Sequence, residues 1–112
     1  MHSPSPREDM YPLNIAVTKS TDAVWIQVCG EVDLSNREQL KAALAAVDIG
    51  GVQVVHLDLH RLSFCDTSGC RLLLLFEREA RLSGYATQIH GATPTIQKVA
   101  CLMSEDIRGS FV

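Results

Sequence analysis

The chain has 112 residues, 46% of them hydrophobic and 21% charged, with a formal net charge of −3. That length suits one compact domain with a modest core, without help from disulfides or metal. The negative balance and the lack of a basic run argue against a direct grip on nucleic acid. Apolar runs such as "LLLLF" are far too short to span a bilayer.

Residues 1–12 hold three prolines, two serines and several charges, the composition of a mobile tail. They contain no apolar stretch of the kind a secretory signal needs. A cytoplasmic chain is therefore expected, with Cys29, Cys65, Cys70 and Cys101 reduced and behaving as small buried hydrophobes.

From residue 13 "LNIAVTKS" alternates Leu13, Ile15 and Val17 on one side, a strand. After a turn at Thr21-Asp22, "AVWIQVCG" puts Val24, Ile26 and Val28 on one face and Trp25, Gln27 and Cys29 on the other. This second strand is expected to form a hairpin with the first and to stop at Gly30. "EVDLSNREQLKAALAAV" then reads as a helix, with Leu40, Ala43, Leu44 and Val47 as its apolar stripe. Ser35 and Glu38 have capping-box spacing. "DIGG" ends it. "VQVVHLDL" is the next strand, Val55, Leu57 and Leu59 facing one way and Val54, His56 and Asp58 the other. A second helix is expected from about Ser68 to Leu82, with Glu77 and Arg81 paired on its solvent face. "YATQIHG" is a fourth strand. "TPTIQKVACLM" is a third helix, with Thr93 as N-cap and Pro94 at the first helical position, and Ile96, Val99 and Met103 turned inward. The order β-β-α-β-α-β-α implies an α/β domain: a small mixed sheet with helices packed on it.

Between the third strand and second helix stands "FCDTSGC", residues 64–70. The Asp-Thr-Ser-Gly string is not an aspartic-protease motif, since it has one residue too many, no second copy and a helix after it. It is not a nucleophile elbow either, because the G-x-S-x-G frame is missing. Nothing places His56, His60 or His90 beside Thr67 as a base. No catalytic residue, metal ligand or cofactor loop is assigned; a thiol or metal enzyme using Cys65 and Cys70, with His56 and His60 to assist them, stays as an alternative, although their spacing is wider than the two residues usual for a structural zinc pair. Thr67 is expected to cap the helix, and Gly69 to leave backbone open for a partner's close approach. Two hydroxyls and an acid at an electropositive helix start also suit phosphorylation. A phosphate on Thr67 adds about −1.5 to −2 charge where free amides can stabilise it.

"LDLHRLSFCDTSGCRLLLLF", "GEVDLSNREQLKAAL" and "GATPTIQKVACL", in that order, resemble the anti-sigma factor antagonists, whose fold is the STAS domain. The resemblance covers roughly residues 13–103. It implies a non-enzymatic, bacterial partner-switching protein without a cofactor of its own. Its partners would be an anti-sigma factor that is also a serine/threonine kinase and holds the ATP, and a PP2C-type phosphatase that resets the switch. It implies phosphorylation at Thr67, and a partner-binding surface comprising Asp33, Asp66, Ser68, Gly69 and Arg71. Two departures stand out: a threonine replaces the family's usual serine, and Arg71 brings a long cation to that surface. The alternative within the same fold is a STAS subunit of a lipid-transport ABC ATPase complex or other regulatory assembly.

Overall fold

The computed structural model of the protein describes residues 12–103 and 109–112. The expected N-terminal tail lies outside the described residues except for Pro12.

Asn14–Lys19 (β1) and Ala23–Val32 (β2) form the expected antiparallel hairpin, Val17 opposite Ile26. Arg37–Ala45 (α1) leads to Val54–Asp58 (β3), which lies parallel to β2 with Ile26 beside Leu57. Leu62–Cys65 (β4) comes next, then Thr67–Leu82 (α2), Ala86–His90 (β5) and Pro94–Met103 (α3). The sheet order is β1-β2-β3-β5, with β5 parallel to β3.

β2, β3 and β5 each alternate, so the sheet has two unlike faces. Val24, Ile26, Val28, Val55, Leu57 and Ile89 are buried beneath the helices. Trp25, His56 and His90 stand on the opposite face, stacked on one another. The helix α2 is the central cover, packing against α1, α3, β4 and β5. Cys70, Leu73, Leu74, Glu77 and Ala80 form its inward stripe, three to four residues apart as an amphipathic helix requires.

The chain departs from the sequence expectations at several places. Gly30 does not end β2. Its φ of 95° admits a register shift between Gly30 and Glu31, and the strand continues to Val32. The shift lets β4, a strand the sequence reading treated as a link, lie parallel to the end of β2. The Ser63 hydroxyl donates to the Gly30 carbonyl across that junction (3.0 Å).

The first helix starts later than expected, with Asn36 rather than Ser35 before it, and no capping box forms. Ser35 is held instead by Asp33, and Asn36 by Glu31. Helix α2 is capped by Asp66, not by Thr67. Glu77 and Arg81 do pair, at 2.7 Å, but Glu77 is only 2% exposed, so the pair does not sit on a solvent face. Finally, Cys101 is exposed and Cys29 half-buried, leaving only Cys65 and Cys70 as buried thiols.

Thr93 caps α3 as expected, its hydroxyl accepting the Ile96 amide at 3.2 Å. Beyond α3, Phe111 bridges to Ile89 and the Val112 amide donates to the Ile89 carbonyl, so the last residues line the β5 edge.

Candidate functional site

The site is assembled where two strand ends meet one helix start. β2 and β4 run parallel and stop together, with Val32 beside Cys65. The Asp66 amide donates to the Val32 carbonyl (3.1 Å), which fixes the residue that turns the chain into α2. Asp66 has extended backbone, φ −72° and ψ 171°, the conformation of a helix N-cap. Its Oδ1 accepts the Gly69 amide at 2.8 Å and the Ser68 hydroxyl at 3.0 Å.

The two hydroxyls are thereby made different. Ser68 is half-buried and committed to Asp66. Thr67 is exposed at the first helical position. Among the described residues its hydroxyl has no hydrogen-bond partner. The first-turn amides that no carbonyl satisfies make this end electropositive.

Gly69 belongs to the site from beneath rather than at its surface. It is buried, and a Cβ there would lie 2.6 Å from Val32 Cγ1 and 2.8 Å from Cys65 Sγ. The sequence reading gave it an opening for a partner. Its actual role is to let α2 start directly against the ends of β2 and β4.

Asp33 follows β2 and is half-buried. Its carboxylate accepts the Ser35 amide (2.9 Å) and the Ser35 hydroxyl. Its own amide donates to Asn36 Oδ1 at 3.0 Å. This loop stands next to the start of α2: Asp33, Leu34, Ser35, Phe64 and Asp66 line one shallow depression. The structure therefore brings Asp33 and Asp66 together. It adds two residues the sequence reading missed, Leu34 at 73% exposure and Phe64 at 50%. A leucine inside the polar string "VDLSN" was the available signal for the first.

Arg71 lies one turn into α2 and is exposed. With Ser68 it lines a groove between α1 and α2, together with Arg37, Glu38 and Lys41 of α1 and the apolar Leu72 and Leu75. These three cations make no ion pair among the described residues. They share that groove with the Glu38 carboxylate, while Asp33 and Asp66 line the separate depression beside Leu34 and Phe64.

Beneath the surface, Cys65 and Cys70 face each other across the Asp66–Gly69 turn. The Cys70 thiol donates to the Cys65 carbonyl oxygen at 3.6 Å. The neighbouring Cys65 thiol lowers the Cys70 pKa, and the same neighbour, with burial, raises the pKa of Cys65. No group of three or more histidine, cysteine, aspartate or glutamate side chains able to hold a metal occurs among the described residues. No helix among them is long and apolar enough to cross a membrane.

A family model described as "Mlab, STAS domain" matches residues 15–106. The anti-sigma F factor antagonist of Lysinibacillus sphaericus is 37% identical over 84 residues, which cover 74% of this chain and 70% of that one. Two solved structures are similar at 27% identity. The anti-sigma factor antagonist SpoIIAA in its unphosphorylated form has a TM-score of 0.63 and is matched over 88% of this chain and 86% of its own. The Bacillus cell fate determinant SpoIIAA in its phosphorylated form has a TM-score of 0.66, with 88% and 89% covered.

Proposed function

Because the chain belongs to the STAS-domain family of anti-sigma factor antagonists, we propose that it binds an anti-sigma factor through the surface around the start of α2 and that phosphorylation of Thr67 releases it. The observation that carries this reading is the inequality of the two hydroxyls: Thr67 is exposed and has no hydrogen-bond partner among the described residues, while Ser68 is held by Asp66.

The mechanism follows from charge and burial. Leu34 and Phe64 give the unmodified surface exposed apolar area beside Asp33 and Asp66. Aromatic and aliphatic side chains of this kind anchor protein interfaces once water is excluded. The neutral Thr67 hydroxyl can be enclosed at small cost. A phosphate there adds about −1.5 to −2 charge next to two carboxylates. Enclosing such a charge without a partner costs several kcal/mol, and each 1.4 kcal/mol is about tenfold in affinity. The fold survives because the cap of α2 is Asp66, which modification of Thr67 leaves in place.

The partner in this reading is an anti-sigma factor that is a serine/threonine kinase and holds the ATP itself. A PP2C-type phosphatase restores the hydroxyl. The chain contributes no catalytic group, and it acts in the cytoplasm.

Incubation with that kinase and ATP, followed by mass spectrometry, should place one phosphate on Thr67 and none on Ser68. Thr67→Ala should bind the kinase as the parent does, and Thr67→Glu at least tenfold more weakly. Equal binding by the two variants would remove Thr67 from the switch. Recovery of an ABC-type ATPase in place of a kinase from source lysate would move the chain to the transport-complex reading.

A further inference from the structure

Cys65 and Cys70 bracket the Asp-Thr-Ser-Gly turn at its two ends. Cys65 is the last residue of β4, and Cys70 lies in the first turn of α2. Both are buried, at 6% and 0% exposure, and their side chains meet underneath the turn. The Cys70 sulfur is 3.6 Å from the Cys65 carbonyl oxygen. Gly69 is wedged against the same place, its missing Cβ only 2.8 Å from Cys65 Sγ. Cys29 and Cys101 sit apart from this pair, half-buried and exposed.

We propose that Cys65 and Cys70 are a redox pair that closes into a disulfide under a hydroperoxide, and that closure displaces the turn carrying Thr67. Cys70 is the attacking sulfur. It lies at the electropositive end of a helix, which favours a thiolate, and the neighbouring Cys65 thiol lowers its pKa further. The thiolate attacks one peroxide oxygen and the O–O bond breaks. The departing hydroxide takes a proton and leaves as water, and Cys70 becomes a sulfenic acid. Cys65 then loses its proton as its sulfur attacks the Cys70 sulfur. The S–O bond breaks, a second water leaves and the S–S bond forms. Two thiols and one hydroperoxide group give one disulfide, one water and, from hydrogen peroxide, a second water.

Closure changes the site above it. The sulfurs must close to about 2 Å, within narrow dihedral limits. Gly69 packs directly on Cys65 Sγ, and its amide is the one Asp66 caps at 2.8 Å. Drawing Cys65 and Cys70 together therefore moves the cap and the first turn of α2. Because Cys70 is fully buried, the oxidant reaches it only when that turn opens, so the reaction is gated by the mobility of the helix start. Any effect on partner binding rests on the Thr67 reading. The disulfide itself does not, and the two are measured separately.

Trypsin cuts after Arg61 and Arg71 and so releases residues 62–71 with both cysteines and Thr67 on one peptide. The folded protein is treated with hydrogen peroxide, alkylated and digested. The expected result is this peptide two hydrogens lighter and unalkylated, reverting to the doubly alkylated form after dithiothreitol. Exposed Cys101 serves as the internal sign that oxidant was present. Recovery of Cys65 and Cys70 both alkylated, or as sulfinic or sulfonic acids, while Cys101 is oxidised would overturn the proposal. The wild-type measurement needs no variant, so misfolding of Cys70→Ser or Cys65→Ala leaves it intact. Amide hydrogen exchange over residues 66–70 should quicken several-fold in the disulfide form; unchanged exchange there would overturn the coupling to the turn. Phosphorylation of Thr67 is then compared between the oxidised and reduced forms. Loss of the disulfide result alone leaves the Thr67 assignment standing. A disulfide that forms while Thr67 is never phosphorylated removes the functional reading and not the redox pair.

Discussion

Ser68 donates its hydroxyl to Asp66 Oδ1 at 3.0 Å, the same oxygen that accepts the Gly69 amide at 2.8 Å. One carboxylate oxygen thus holds two consecutive residues of the first helical turn and leaves Thr67 outside the arrangement. The hydroxyls that look interchangeable in the sequence are held differently, one bonded to Asp66 and one exposed.

This separation predicts different costs for two alanine substitutions. Ser68→Ala removes a hydrogen bond to a half-buried carboxylate and should destabilise the fold by about 1 kcal/mol. Thr67→Ala removes an exposed hydroxyl that is not the cap and should stay within about 0.5 kcal/mol of the parent. Urea unfolding of the two variants under one buffer checks this. The reverse order would mean that Thr67, not Asp66 with Ser68, secures the helix start.

Gly69 offers a contest between two effects of opposite sign. Alanine is better than glycine in a helix by about 1 kcal/mol. Its Cβ would meet Val32 Cγ1 at 2.6 Å and Cys65 Sγ at 2.8 Å, and overpacking of a core typically costs 1–3 kcal/mol. Sterics should win, because Val32 is fully buried in β2 and has nowhere to move. Gly69→Ala is expected to lower the unfolding midpoint, and a Val32→Ala background should return part of the loss. A stabilised Gly69→Ala protein would show that the packing at this turn is looser than the distances state.

These two cases also show what the sequence could and could not reveal. Strand alternation in "AVWIQVCG" and "VQVVHLDL" located β2 and β3, and the stripe through Leu40 and Leu44 located α1, because each pattern is complete within its own segment. β4 was missed because "LSFC" is only four residues long, and it becomes a strand through pairing with the end of β2, thirty residues earlier. The Asp33-Asp66 face needed that pairing too. The burial of Gly69 depends on Val32 and Cys65, one of them distant in sequence. The cap was misplaced by one residue because aspartate and threonine are both competent caps, and only the backbone angles of Asp66 decide between them.

Glu77 was legible in principle. It stands at helical spacing from Leu73 and Ala80, on the stripe that faces inward. Its Oε1 accepts from Arg81 Nε at 2.7 Å, while Oε2 has no partner among the described residues. Breaking such a pair from the cationic side strands a buried carboxylate, which typically costs 3–5 kcal/mol. Arg81→Met should therefore be strongly destabilising. Glu77→Met combined with Arg81→Met should recover most of the loss, since a buried pair replaced by apolar residues is often neutral. Denaturant titration of the single and double variants gives the coupling; additive losses would show that the two side chains do not act as a unit.

The open face of the sheet predicts a pH response separate from the site at α2. His56 stacks on Trp25 with ring centroids 3.9 Å apart, and its Nδ1 shares a hydrogen bond with His90 Nε2 at 3.0 Å. Burial, and then the charge of His90, lower the His56 pKa below its ordinary 6.5. The folded state thus binds a proton at His56 less readily than the unfolded chain does. By linkage, the stability that neutral His56 contributes is fully present above about pH 6.5 and is lost as pH falls through its folded value. Asp58 is a second group with a lowered pKa: partial burial raises it, but the amide and ring of His60 more than offset that. Its contribution is present above the ordinary carboxylate value and declines only in more acidic solution, so the two groups are resolved along the pH axis. Urea midpoints should fall between pH 7 and pH 5 in the parent and change less in His56→Gln. Trp25 is the chain's only tryptophan, so its emission reports directly on the ring stacked against it. A parent and a His56→Gln variant with superimposable profiles over that interval would show that the imidazole titrates alike in folded and unfolded chains, and that the stack on the open face does not discriminate between its protonation states.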